Sequence, residues 1–183
     1  MDRAFSNAVA EWNDFHTLLG TGAFTLLGLL FVAVSLRLNI FRQGSLADIR
    51  DFALLTFANF LSLTIIALLF FVPSQNKTGM ALPLFVIGAL GLLAIVLLLQ
   101  ESRRVNTGAY TLKLPQEAWF GASALPYGGL VAIAVALLLD SLSAFYWLAA
   151  VEISLLLISS FNTWALLSRA QPDSGSGDPQ TGV

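Results

Sequence analysis

The chain has 183 residues, of which 57% are hydrophobic and 11% are charged, whereas soluble domains carry about 25% charged residues. A soluble fold of this size could not wet so apolar a surface, so the composition predicts an all-α membrane protein whose first partner is the lipid bilayer. The net charge of −2 argues against a nucleic-acid partner, which requires a basic patch. The chain has no cysteine and one histidine, so we expect neither a metal site nor a cofactor.

Residues 1–16 are predicted to form an extracytoplasmic amphipathic segment. Phe5, Val9, Trp12 and Phe15 recur there at helical spacing among polar residues, which is typical of a segment that lies on a membrane surface. A frayed polar end is the alternative. The acidic residues of this stretch argue against a cleavable signal peptide.

Residues 17–168 are predicted to form a bundle of about five transmembrane helices. Three uncharged runs reach the spanning length of about 20 residues: 17–36, 52–73 and 81–100. The stretch 118–168 is too long for one span, because a single helix would run about 75 Å against a hydrocarbon core of about 30 Å. A turn at 140–143 divides it into helices over 118–139 and 142–168. Four spans, with one long broken helix, are the alternative.

The basic residues predict the orientation of the bundle. With five spans, seven lysines and arginines lie on one side of the membrane and two on the other. The positive-inside rule then places the N-terminus outside and the C-terminus in the cytoplasm. The polar residues 169–183 are predicted to be a disordered cytoplasmic tail. The run GLLFVAVSL at 28–36 resembles runs in bacterial membrane proteins, which implies a multi-pass protein of the bacterial inner membrane.

The first predicted helix carries a stripe of small and polar residues, in alternating steps of four and three. The stripe could line a pathway, or it could be a packing seam, because small residues let helices approach closely in lipid. Both interpretations place this helix inside a bundle and not against lipid. The stripe consists of Thr21, Thr25, Gly28, Val32, Ser35, Asn39 and Arg42.

A second polar set lies on the second and fifth predicted helices. An ionised Glu152 would cost at least about 2.5 kcal/mol inside a bilayer, so this carboxyl must be protonated, paired or hydrated. No lysine or arginine falls within a predicted span. We therefore expect no ion pair there within one chain. Asn59 could donate to the carboxyl, and we expect the polar faces of the two helices to point toward each other or toward a shared cavity. Glu152 is either a functional group or a structural hydrogen bond. The set is Thr56, Asn59, Ser62, Glu152, Ser159 and Asn162.

These features favour a transport function over catalysis. The predicted spans contain no lysine for a retinal Schiff base, and the chain has no metalloprotease or nucleotide-binding motif, so we expect no enzyme. We expect an oligomeric channel or ion-translocating pathway for a small ion, built from copies of this chain, with Glu152 as a proton-sensitive element. The alternative is a non-catalytic accessory, scaffolding or signalling subunit of a membrane complex. A binder of small molecules between the helices is a third class.

Overall fold

The computed structural model describes residues 3–36, 47–104 and 116–169, and the regular structure in these ranges is entirely helical. The all-helical fold predicted from the sequence is confirmed, with a helix at each of the five expected places. In chain order the helices are α1 (Arg3–Leu36), α2 (Ala47–Leu69), α3 (Lys77–Arg104), α4 (Gln116–Leu138) and α5 (Ala144–Arg169).

Three of these helices are long and apolar enough to cross a membrane. The apolar segments run over Arg3–Ser35, Lys77–Gln100 and Ala144–Trp164. Shorter apolar helical segments lie at Ala53–Leu69 in α2 and Ala124–Leu138 in α4. Large apolar side chains stand exposed on the outside of all five helices, as expected of a protein whose outer surface meets lipid.

The N-terminal residues belong to the first long helix. The sequence predicts a helix start at Thr17, but α1 continues without a break back to Arg3. Phe5 is buried, and its ring lies 5.8 Å from that of Phe145 at the start of α5. The predicted surface segment is therefore the first half of α1, packed against the bundle by its apolar side. Residues 170–183 of the predicted tail lie outside the described residues.

Helices α2 and α5 form the centre of the bundle. Helix α2 packs against α1, α3 and α5, whereas α5 packs against α1, α2 and α4. Phe70, just after α2, lies 6.0 Å from Phe145 at the beginning of α5, so the two central helices run in opposite directions. Helices α3 and α4 pack closely against each other, because Gly88 and Gly91 let the backbone and ring of Tyr127 approach.

The predicted turn at 140–143 is confirmed, and Asp140 ends α4 there. Asp140 adopts the left-handed conformation with φ of 66°. Ser141 N–H donates to the carbonyl of Ala136 at 3.1 Å, which is the hydrogen bond of a Schellman motif. The Asp140 carboxylate pairs with Lys77 at the start of α3, so two neighbouring connections are joined at the same end of the bundle.

Candidate functional site

A fully buried histidine–glutamate pair joins α1 to α5. His16 Nε2 lies 3.1 Å from Glu152 Oε2, and neither side chain is exposed. The expectation that Glu152 finds no ion-pair partner within the chain is therefore wrong. Histidine can pair with a carboxylate as lysine and arginine do, and α1 extends back beyond its predicted start at Thr17 to include His16.

His16 reaches the core because an apolar pattern runs through it. From Phe5 onward, residues at alternating steps of four and three face the bundle along α1. At about 100° per residue, this spacing keeps side chains on one side of a helix. Fully or partly buried members of the pattern are Phe5, Val9, Trp12, His16, Leu19, Ala23, Leu26 and Leu30.

The hydrogen bonds of the imidazole determine where its protons lie. His16 Nδ1 is 2.8 Å from the carbonyl oxygen of Trp12. A carbonyl only accepts, so we assign the Nδ1 proton as the donor. Nε2 then faces Glu152 in one of two favourable states, either as an imidazolium beside a carboxylate or as a neutral acceptor beside a protonated carboxyl. Both states hold one proton between the two groups and have no net charge.

Aromatic rings surround the pair. The Phe70 ring stacks on the imidazole with centroids 3.3 Å apart and planes 15° apart. Phe15 meets the same imidazole edge-on, at 5.1 Å. On the side nearer the N-terminus of α1, Trp12 packs against Tyr146 at 5.0 Å. The rings leave the pair in apolar surroundings, whereas the carboxylates Glu11 and Asp14 of α1 are exposed.

The geometry at Glu152 leaves hydrogen-bonding capacity unused. The Oε2 contact has the distance of an ion pair, but its direction is poor for a hydrogen bond with the ring, and Oε1 has no hydrogen-bond partner in the part of the chain that the structure describes. A buried carboxyl normally satisfies both oxygens. The carboxyl can therefore accept a proton or a further donor without breaking an existing hydrogen bond.

The polar set on α2 and α5 forms a second buried region. Thr56, Asn59, Ser159 and Asn162 are fully buried, whereas Ser62 is partly buried and donates to the carbonyl of Ala58. Asn59 does not donate to Glu152 in the structure. Its Oδ1 accepts a 2.6 Å hydrogen bond from the Tyr127 hydroxyl of α4, and its Nδ2 has no partner among the described residues.

The small and polar stripe of α1 lies outside the single-chain bundle. Thr21, Thr25, Gly28, Val32 and Ser35 are all exposed, so in one chain the stripe faces outward, and its interpretations as a pathway lining or a packing seam stay predictions. The stripe begins two residues after Leu19 of the buried pattern, which places it about 200° away around the helix. Asn39 and Arg42 lie outside the described residues.

The roles of two residues in these regions are not predicted from the sequence. His16 had a usable signal, because the spacing of Phe5, Val9 and Trp12 continues through it. No signal in the sequence identifies Tyr127, since its role depends on the approach of α4 to α2 and on the glycines of α3. Comparison with protein-family models, with curated proteins and with solved structures finds no match to this chain.

Proposed function

We propose that this chain is a multi-pass membrane protein that translocates protons, and that the His16–Glu152 pair is its proton-binding element. In this proposal all five helices span the bilayer, the N-terminus lies outside, and the membrane is the bacterial inner membrane. The observation that carries the proposal is the complete burial of an imidazole and a carboxyl 3.1 Å apart between two long apolar helices.

The chemistry of the pair suits reversible proton binding. Moving the shared proton between Nε2 and Oε2 leaves the net charge unchanged, whereas adding or removing a proton leaves one net charge in apolar surroundings. Such a charge is costly inside a bilayer, so it favours transfer of the proton onward. Ionisable groups within membrane spans commonly serve as proton relays.

The position of the pair favours exchange with the outside. His16 contacts Phe70, just beyond the end of α2, and Glu152 lies in the first third of α5. In the proposed orientation these helix ends face outward. Trp12 and Tyr146 then lie between the pair and the outer aqueous phase, so a change in their packing would give a proton access to His16.

The test is proton flux in proteoliposomes under an imposed membrane potential, followed with a pH-sensitive dye. We expect Glu152→Gln and His16→Gln each to reduce flux at least about tenfold, which corresponds to about 1.4 kcal/mol in the barrier. Glu11→Gln is the matched control, because Glu11 is an exposed carboxylate of α1. Flux that persists in both pair variants, or no flux from folded wild-type protein, would contradict the proposal.

The exposed stripe of α1 supports two related proposals about assembly. Copies of the chain could meet along Thr21, Thr25 and Gly28, and in a closed ring these faces would line an oligomeric channel. Alternatively, the stripe is where an accessory or scaffolding subunit contacts a larger complex, because small residues permit close helix contact in lipid. The molecular mass in mild detergent separates these cases: a closed ring favours the channel, whereas a monomer without flux favours the subunit.

A further inference from the structure

The second buried region contains polar atoms of both hydrogen-bonding types. Asn59 Nδ2, Ser159 Oγ, and both Nδ2 and Oδ1 of Asn162 have no hydrogen-bond partner within residues 3–36, 47–104 and 116–169. All three side chains are completely buried. Buried polar groups in folded proteins nearly always have a partner, either protein or ordered water, so these atoms indicate a bound molecule.

The two central helices bring these atoms to a similar depth. Phe70 packs on Phe145, and α2 and α5 run in opposite directions. Asn59 lies eleven residues before Phe70, so it is level with the residue about eleven positions after Phe145, within about one turn of Ser159. Ser159 and Asn162 are three residues apart and share one face of α5.

The mixture of donors and acceptors identifies the class of ligand. A cation would satisfy Asn162 Oδ1 but would leave the amide N–H groups unpaired, and an anion would do the reverse. Water donates and accepts at once, and a buried water typically makes about three hydrogen bonds. A neutral ligand no larger than a few water molecules fits this set best.

We propose that Asn59, Ser159 and Asn162 bind a cluster of ordered water between α2 and α5, on the side of Glu152 away from His16. The Tyr127 hydroxyl orients this site: it donates to Asn59 Oδ1, so the Asn59 amide group is directed to the water. This role rests on the proposed function: after Glu152, the water cluster is the next group that carries the proton.

An apolar layer separates this water site from the histidine–glutamate pair. Phe60 of α2 and Leu155 of α5 are completely buried at a depth between Glu152 and Ser159. Glu152 and Ser159 lie seven residues apart in sequence, or about 10 Å along α5. A proton crosses this distance only when water transiently enters the layer, which makes the layer the barrier to proton flow.

The water site is tested directly by nuclear magnetic resonance on the full chain in perdeuterated detergent. We expect the side-chain amide protons of Asn59 and Asn162 to show cross-relaxation with long-lived water, with Asn13, which lies near the N-terminal surface, showing fast exchange. Amide signals of Asn59 and Asn162 without any contact to water would overturn the site. This measurement does not depend on proton flux.

The role of the site in transport is tested separately with a matched pair of serine variants. Ser159 is fully buried, whereas Ser154 lies on the outer side of the same helix and donates to its own backbone at Ala150. We expect Ser159→Ala to reduce proton flux about threefold or more and Ser154→Ala to leave it unchanged. Equal effects of the two variants would overturn this role, and loss of flux in Glu152→Gln alone would still support the proposed function.

Discussion

The two buried polar regions of this bundle differ in the chemistry of their side chains. At the outer region, which lies nearer the outside in the proposed orientation, His16 of α1 and Glu152 of α5 are a base and an acid 3.1 Å apart. At the inner region, amides and hydroxyls meet without completing their hydrogen bonds within the described chain, apart from the bond between Tyr127 and Asn59. The outer region therefore places an acid beside a base, whereas the inner region has no such pair and, in our proposal, completes its hydrogen bonds with bound water.

The apolar layer between the two regions bears on the proposed proton pathway. Phe60 and Leu155 are completely buried, and no buried polar side chain is found between Glu152 and Ser159 on α5 among the described residues. A pathway that is polar at both depths and apolar between them conducts only when the apolar part is wetted.

The largest expected effect comes from breaking the outer pair on one side. His16→Leu leaves the buried carboxyl of Glu152 without its partner and should lower the free energy of unfolding by about 3 kcal/mol. The double variant His16→Leu/Glu152→Leu replaces both groups by apolar ones and should recover most of that loss. Reversible unfolding in mixed detergent micelles measures both. A double variant that loses the sum of the two single effects would show that the pair is not coupled.

A substitution at Gly91 should disturb the inner region from a distance. A Cβ at Gly91 would overlap the ring of Tyr127, whereas a Cβ at Gly128 meets nothing within 4 Å. We expect Gly91→Ala to lower the free energy of unfolding by about 2 kcal/mol through overpacking, and Gly128→Ala to be neutral or stabilising by up to about 1 kcal/mol. Thermal unfolding in one detergent compares the two, and equal melting temperatures would contradict the close contact.

Wetting the apolar layer should connect the two regions. Leu155→Asn places an amide between Glu152 and Ser159, and we expect it to raise proton flux about tenfold, a change of about 1.4 kcal/mol in the barrier. Leu155→Met keeps a similar volume and remains apolar, so it should leave the flux near wild type. The measurement is the liposome assay used for Glu152→Gln. Unchanged flux in the folded Asn variant would place the barrier elsewhere.

The smallest expected effect is the loss of one buried hydrogen bond. Tyr127→Phe removes the donor to Asn59 Oδ1 and should lower the free energy of unfolding by about 1 kcal/mol. Tyr146→Phe is the control, because the Tyr146 side chain is 71% exposed. If the two variants unfold alike, the Tyr127–Asn59 bond adds nothing to stability.

Much of the fold follows from local properties of the sequence. Uncharged runs such as 81–100 predict helices because apolar side chains and satisfied backbone groups are what a bilayer requires. The polar turn at 140–143 predicts where the last stretch folds back. The start of α1 is predicted too late, because an apolar face with polar residues around it fits a membrane surface and a protein core equally well.

The candidate functional site also follows only in part from the sequence. In the sequence, residues 5–15 show an apolar face, the stripe from Thr21 is small and polar, and Glu152 lies within an apolar helix. The packing of the helices then turns the apolar face inward with His16 on it, and brings Tyr127 to Asn59 from 68 residues away. Periodicity reports which residues of one helix share a face, but the choice of partner depends on how separate helices approach each other, which no local pattern contains.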